Sequence, residues 1–113
     1  MRTINSIKDR SLYSFIFDES SPFFKKGDRQ NNLEVLKSLQ AYYNRELPKR
    51  GYVLLNEILS KLELPLKTYG YIVGWNYTNE DSIIDFGLFD YNMPPGYDDL
   101  ILVQPNIDGV IFW

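Results

Sequence analysis

The chain has 113 residues, 44% hydrophobic and 24% charged, with a net charge of only −3. That suits one folded domain, able to withdraw roughly two-thirds of its unfolded surface from water, and it excludes a disordered chain, which needs low apolar content and large net charge. Cysteine and histidine are absent, which removes disulfides, thiolate nucleophiles, imidazole bases and the usual zinc ligands.

Any chemistry must therefore use carboxylates, hydroxyls or lysines, and no cofactor is expected. Aromatic residues, at 16%, are the compositional excess. No apolar run approaches the roughly 18 residues needed to span a bilayer, and Met1-Arg2 is not followed by an apolar signal segment. The expectation is a cytoplasmic protein with no membrane partner.

Charge is unevenly distributed. Residues 1–67 hold all twelve Lys and Arg against eight acids, giving +4, whereas residues 68–113 hold seven acids and no base, giving −7. Two readings stand: an electronegative face steered toward a basic partner, or two halves that neutralise each other within one domain.

In chain order, residues 1–30 read as an N-terminal arm. Leu12–Phe17 fits either a short strand or a helical turn, Asp18–Pro22 is a turn, and Phe23 and Phe24 are expected to pin the arm to the body. From residue 32, Leu33, Leu36, Leu39 or Gln40, Tyr43 and Leu47 recur at spacings of three and four, which predicts a helix with one apolar stripe. Asn31 or Asn32 fits its N-cap, Glu34 its first turn, Arg45 its last turn and Pro48 its end. Its polar residues Lys37, Ser38, Asn44 and Arg45 read as a solvated face, and Gly51 can supply a positive φ after it.

Tyr52–Leu55 is expected to lead into a second, short helix capped by Asn56, with Ile58, Leu59 and Leu62 inward and Pro65 as its stop. A helix-turn-helix reading fails because this helix is short and its flank lacks a cluster of bases for phosphate. Residues 71–77 are rich in β-branched and aromatic residues and predict a strand. Gly70 and Gly74 read as bends, or as places where another element meets bare backbone. After the polar turn at 78–81, the alternation of Ile84, Phe86 and Leu88 predicts a returning strand over 82–90, closing a hairpin. Residues 91–99, with two prolines and a glycine, form a surface loop. Leu100–Val103 is a third strand, and Val110–Trp113, after Asp108-Gly109, a short fourth.

The predicted architecture is α+β: a small, mainly antiparallel sheet of three to four strands with two helices on one face, in a single domain over 1–113. The arm occupies 1–30, the helices 32–64 and the strands 69–113.

Gly51-Tyr-Val-x-Leu-Asn-Glu57, Leu62-x-Leu-Pro65, Gly70-x-x-Val-Gly-Trp-x-Tyr77, Asp85-Phe-Gly87 and Asn106-x-Asp-Gly109, together with Phe17–Pro22 and Asn32-Leu33, carry a resemblance over most of the chain. The chain resembles a family of uncharacterised small proteins from phages and prophages of Gram-positive gut bacteria. That resemblance implies a phage-encoded protein acting in the bacterial host, without implying an activity. Longer members of the family carry an apolar N-terminal segment that this sequence does not show.

Asp85, Asp90, Asp98 and Asp99 are the candidate oxygen ligands for a hard cation, but their spacing is not that of a calcium-binding loop, and no metal is expected. Asp85 beside Phe86 is the candidate for acid–base work. Base stacking by the tyrosines fails for want of cations after residue 67, which argues against nucleic acid. What remains is protein recognition, since Tyr and Trp suit interfaces that need apolar area with a polar tip. Asp85, Asp90, Tyr91, Tyr97, Asp98 and Asp99 are the candidate partner-binding residues. The leading expectation is a non-enzymatic binding module, in its finer form an inhibitor of a host defence complex. The alternatives are a virion or assembly component and, third, a carboxylate- or metal-dependent enzyme. The sequence leaves the oligomeric state open.

Overall fold

The structure, a computed structural model, describes residues 12–88 and 99–112. Its elements in chain order are β1 (Phe15–Phe17), α1 (Arg29–Arg50), β2 (Tyr52–Leu54), α2 (Leu55–Lys61), a 3₁₀ turn (Tyr69–Tyr71), β3 (Val73–Asn76), β4 (Ile101–Val103) and β5 (Gly109–Val110). The fold is α+β, as the sequence predicts, but its strands form two antiparallel sheets. One pairs β1 with β4 and the other has the order β2-β3-β5.

Leu12–Phe17, which the sequence leaves undecided, contributes a strand: Phe15, Ile16 and Phe17 lie opposite Val103, Leu102 and Ile101. Phe15 and Phe17 face the core and Ile16 faces out. Phe24 packs edge-on against Phe17 with ring centres 5.4 Å apart, so it does pin this segment, whereas Phe23 remains 46% exposed.

Helix α1 is longer than its periodicity predicts, at both ends. Asp28 caps it by accepting from the Asn31 N–H at 3.0 Å, and Asn32 serves the interior instead. Fully buried, Asn32 accepts from the Lys25 N–H at 2.8 Å and donates to the carbonyls of Lys25 and Asp99 at 3.1 and 3.2 Å. Pro48 does not end the helix. It lies in the last turn, where it forfeits the bond to the Asn44 carbonyl without ending the helix. The stop is Gly51, at φ +89°, whose N–H donates to the Leu47 carbonyl. The last-turn bases are Lys49 and Arg50 rather than Arg45.

Tyr52–Leu54 is a strand rather than a helical lead-in, with Val53 opposite Trp75 and Leu54 opposite Gly74. The sheet accepts it because Gly74 has no side chain: a Cβ there would lie 2.0 Å from the Val53 carbonyl oxygen. Helix α2 then starts at Leu55, with Leu54 as its N-cap residue, whose N–H donates to Glu57 Oε2 at 2.9 Å. Asn56 is inside the helix, not at its cap. The helix closes before Pro65, with Leu64 N–H donating to Leu59 O and Glu63 N–H to Ser60 O, a Schellman pair. Ile58, Leu59 and Leu62 are buried as predicted.

The predicted strand over 82–90 is not a strand where it is described, and β3 pairs with β2 and β5 instead. Buried backbone groups must find partners, and in 83–87 these are mostly side-chain amides. Asn44 Oδ1 accepts from the Ile84 N–H at 2.7 Å, and its Nδ2 donates to the Ile84 carbonyl at 2.9 Å. Asn106 accepts from the Asp85 N–H and donates to the Ile83 carbonyl, while Gln40 Oε1 accepts from the Phe86 N–H at 2.7 Å. Backbone N–H groups of Asn106 and Gln104 complete the set at the Asp85 and Phe86 carbonyls. Ile84 and Phe86 are thereby held in a core that also contains Phe17, Leu36, Leu47, Val53, Ile58 and Trp75. Burying such a side chain fully is worth about 1.5–3 kcal/mol.

Candidate functional site

The acidic residues singled out in the sequence divide into two groups. Asp90, Tyr91, Tyr97 and Asp98 lie outside the described residues. Asp85 and Asp99 are described, and both serve the backbone. Asp85 Oδ1 accepts from the Gly87 N–H at 2.8 Å, and Asp99 Oδ2 accepts from the Gly27 N–H at 2.6 Å, tying the start of the segment that leads into β4 to the approach of α1. Arg29 adds a bond from its guanidinium to the Leu100 carbonyl at 2.9 Å. Among the described residues no three acidic side chains converge on a point that could hold a metal ion.

Two open grooves flank α2. The larger, about 630 Å³, is lined by Tyr43 of α1, by Leu54, Asn56, Glu57, Ser60 and Lys61 around α2, and by Glu63, Leu66 and Tyr71 beyond it. Tyr43 is buried while Leu66 and Tyr71 are 46% and 57% exposed, so the groove runs from apolar side chains at the surface down to a sequestered phenol. Burial pushes the Tyr43 hydroxyl up to about 12, with the Glu57 charge adding to the effect. It therefore stays a neutral donor and acceptor at physiological pH.

Glu57 is held from two sides. Arg50 grips it in a two-pronged contact of 2.6 and 2.8 Å, the geometry in which guanidinium–carboxylate pairs are strongest, and the Leu54 N–H takes one of the same oxygens. That hydrogen bond to Glu57 raises the Arg50 pKa above its ordinary value. The guanidinium also lies 5.7 Å from the Tyr52 ring centre. This carboxylate is an anchor for the start of α2, without the freedom a proton-transfer group needs. The groove presents apolar area, hydroxyls and flanking charges.

The second groove, about 510 Å³, lies along α1 between Asn31 and Tyr42 and is closed by Phe23, Lys61 and Leu62. Among the described residues no helix is long and apolar enough to cross a membrane.

A family model described as a family of unknown function (DUF6353) matches residues 2–112. The chain belongs to the DUF6353 family. No curated protein and no solved structure matches it.

In this DUF6353 chain, the residues that carry the sequence pattern serve the fold. Asn56 clamps the backbone of Lys67, accepting from its N–H at 3.0 Å and donating to its carbonyl at 2.9 Å. Asn106 also accepts from the Trp75 indole N–H at 2.7 Å, and Asp108 accepts from the Asn76 N–H at 2.8 Å. The groove of this DUF6353 chain is assembled from residues that the pattern largely omits. Leu66 and Glu63 are not singled out by the sequence, and Tyr71, expected at the start of a strand, lies in the 3₁₀ turn before β3. Large side chains such as Leu66 and Tyr71 in a stretch too short for a periodic face are the signal that points to them.

Proposed function

We propose that the chain is a non-enzymatic protein-binding module, encoded by a phage or prophage, whose acidic C-terminal half steers it toward a basic partner surface. In its finer form the partner is a host defence complex that the module inhibits. The observation that carries this reading is the larger groove, where Leu66 and Tyr71 stand exposed above Leu54 and Tyr43. Exposed aromatic and aliphatic side chains around a depression suit an inserted apolar anchor, and Glu63 at its edge suits a basic flank on that anchor. The charge of −7 over residues 68–113 adds attraction at long range. The engagement of Asp85 and Asp99 by backbone N–H groups speaks for structural roles at those two residues rather than for acid–base work.

The test is affinity capture from a lysate of a Gram-positive host at low and high salt, with the native chain and with a Leu66→Asp/Tyr71→Asp variant. A discrete partner retained by the native chain at low salt, and lost both at high salt and with the variant, is the expected result. Retention that ignores the variant, or no retention even at low salt, overturns the reading.

A further inference from the structure

We propose that α1 is also a self-association surface, through which two copies of this chain form a twofold dimer. The helix carries two stripes. One, through Asn32, Leu36, Tyr43 and Leu47, is buried in the core. The other is offset by one residue, or about 100° around the helix, and runs through Asn31, Val35, Ser38 and Tyr42 along the second groove. Phe23 and Tyr42 on that groove are 46% and 42% exposed, an arrangement that leaves two large aromatic side chains in water unless something covers them.

The charges at the groove identify the occupant. Glu34 lines it from α1 and Lys61 from the end of α2. One acid and one base on the same patch make it complementary to itself, and a twofold axis through the patch brings Glu34 of each copy toward Lys61 of the other, as isologous contacts require. With α1 antiparallel to its twin, Tyr42 of one copy meets Asn31 of the other and Val35 meets Ser38. Ser38 is the small residue that lets two helix axes approach to roughly 8–10 Å. Apart from Lys61, the residues of this surface are distinct from those of the larger groove. A dimer would thus present two copies of that groove and gain avidity for a repeated partner, a consequence that goes beyond the binding reading while the dimer itself does not depend on it.

Sedimentation equilibrium of the purified full chain tests the proposal, with circular dichroism as the check on folding. The native chain should dimerise at concentrations on the order of 10 µM. Glu34→Lys and Lys61→Glu should each weaken the dimer by about ten-fold or more, and the double charge swap should restore it. Both side chains are exposed, so the swaps leave the core untouched. A chain that remains monomeric up to about 1 mM, or a dimer that neither single reversal weakens, overturns the proposal.

Discussion

Gly70 lies against the side chain of Asn56 so closely that a Cβ on it would sit 2.1 Å from the Asn56 Oδ1 atom. The amide cannot swing away, because it holds the N–H and the carbonyl of Lys67. Gly70→Ala should therefore cost about 2–4 kcal/mol, combining overpacking with a broken clamp. In an Asn56→Ala background the same change should cost much less, since the obstacle is gone. Urea unfolding of the four chains of this cycle reads the coupling; independent, additive losses would contradict the contact.

Glu63 is the one non-glycine residue at positive φ among those described, at 55°. It occupies the position after α2 that glycine fills at least cost. Glu63→Gly should stabilise the chain by about 1 kcal/mol, and Glu63→Ala should leave stability near its starting value. Because Glu63 also lines the larger groove, the glycine variant should bind a basic partner more weakly while melting at a higher temperature. Thermal melts and capture at low salt measure the two effects separately.

Alkaline pH provides a third test. The Tyr43 hydroxyl ionises at about 12 in the folded chain, raised from 10.0 by burial first and by Glu57 second. A group whose pKa is higher in the folded state gives stability that is complete below its unfolded value and lost as pH rises toward its folded value. Between pH 10 and 12, Tyr43 should thus remove roughly 2–3 kcal/mol. Tyr43→Phe should flatten that decline relative to the native chain in urea titrations across this range. Parallel declines would show that Tyr43 is not the group responsible.

The helices were legible because burial follows their period. Leu36, Tyr43 and Leu47 on α1, and Ile58 and Leu59 on α2, are the residues their spacing selects. The returning strand differs from its expectation for an equally physical reason. Alternation correctly places Ile84 and Phe86 inside, but alternation reports which way side chains point and is silent on who satisfies the backbone. Here the partners are Asn44 and Gln40, 40 and 46 residues away in the chain. Asn44 looks like a solvated residue when only its own helix is considered. The pairing of β1 with β4 is likewise long-range, and nothing local in Leu12–Phe17 selects a strand over a helical turn. The larger groove stayed hidden because it is made where α1, α2 and the 66–71 segment meet, a juxtaposition that no spacing encodes.

Native-state hydrogen exchange most directly measures whether side-chain amides, in place of a neighbouring strand, hold the backbone N–H groups of Ile84, Asp85 and Phe86. The Ile84 amide, bonded to Asn44 Oδ1 at 2.7 Å, should exchange as slowly as the amides of β3 in the native chain. In Asn44→Ala it should lose protection by about 10–100-fold relative to β3, the equivalent of 1–3 kcal/mol for a buried donor left without its acceptor. An Ile84 amide that keeps its protection in the variant, or that exchanges freely in the native chain, would contradict the account.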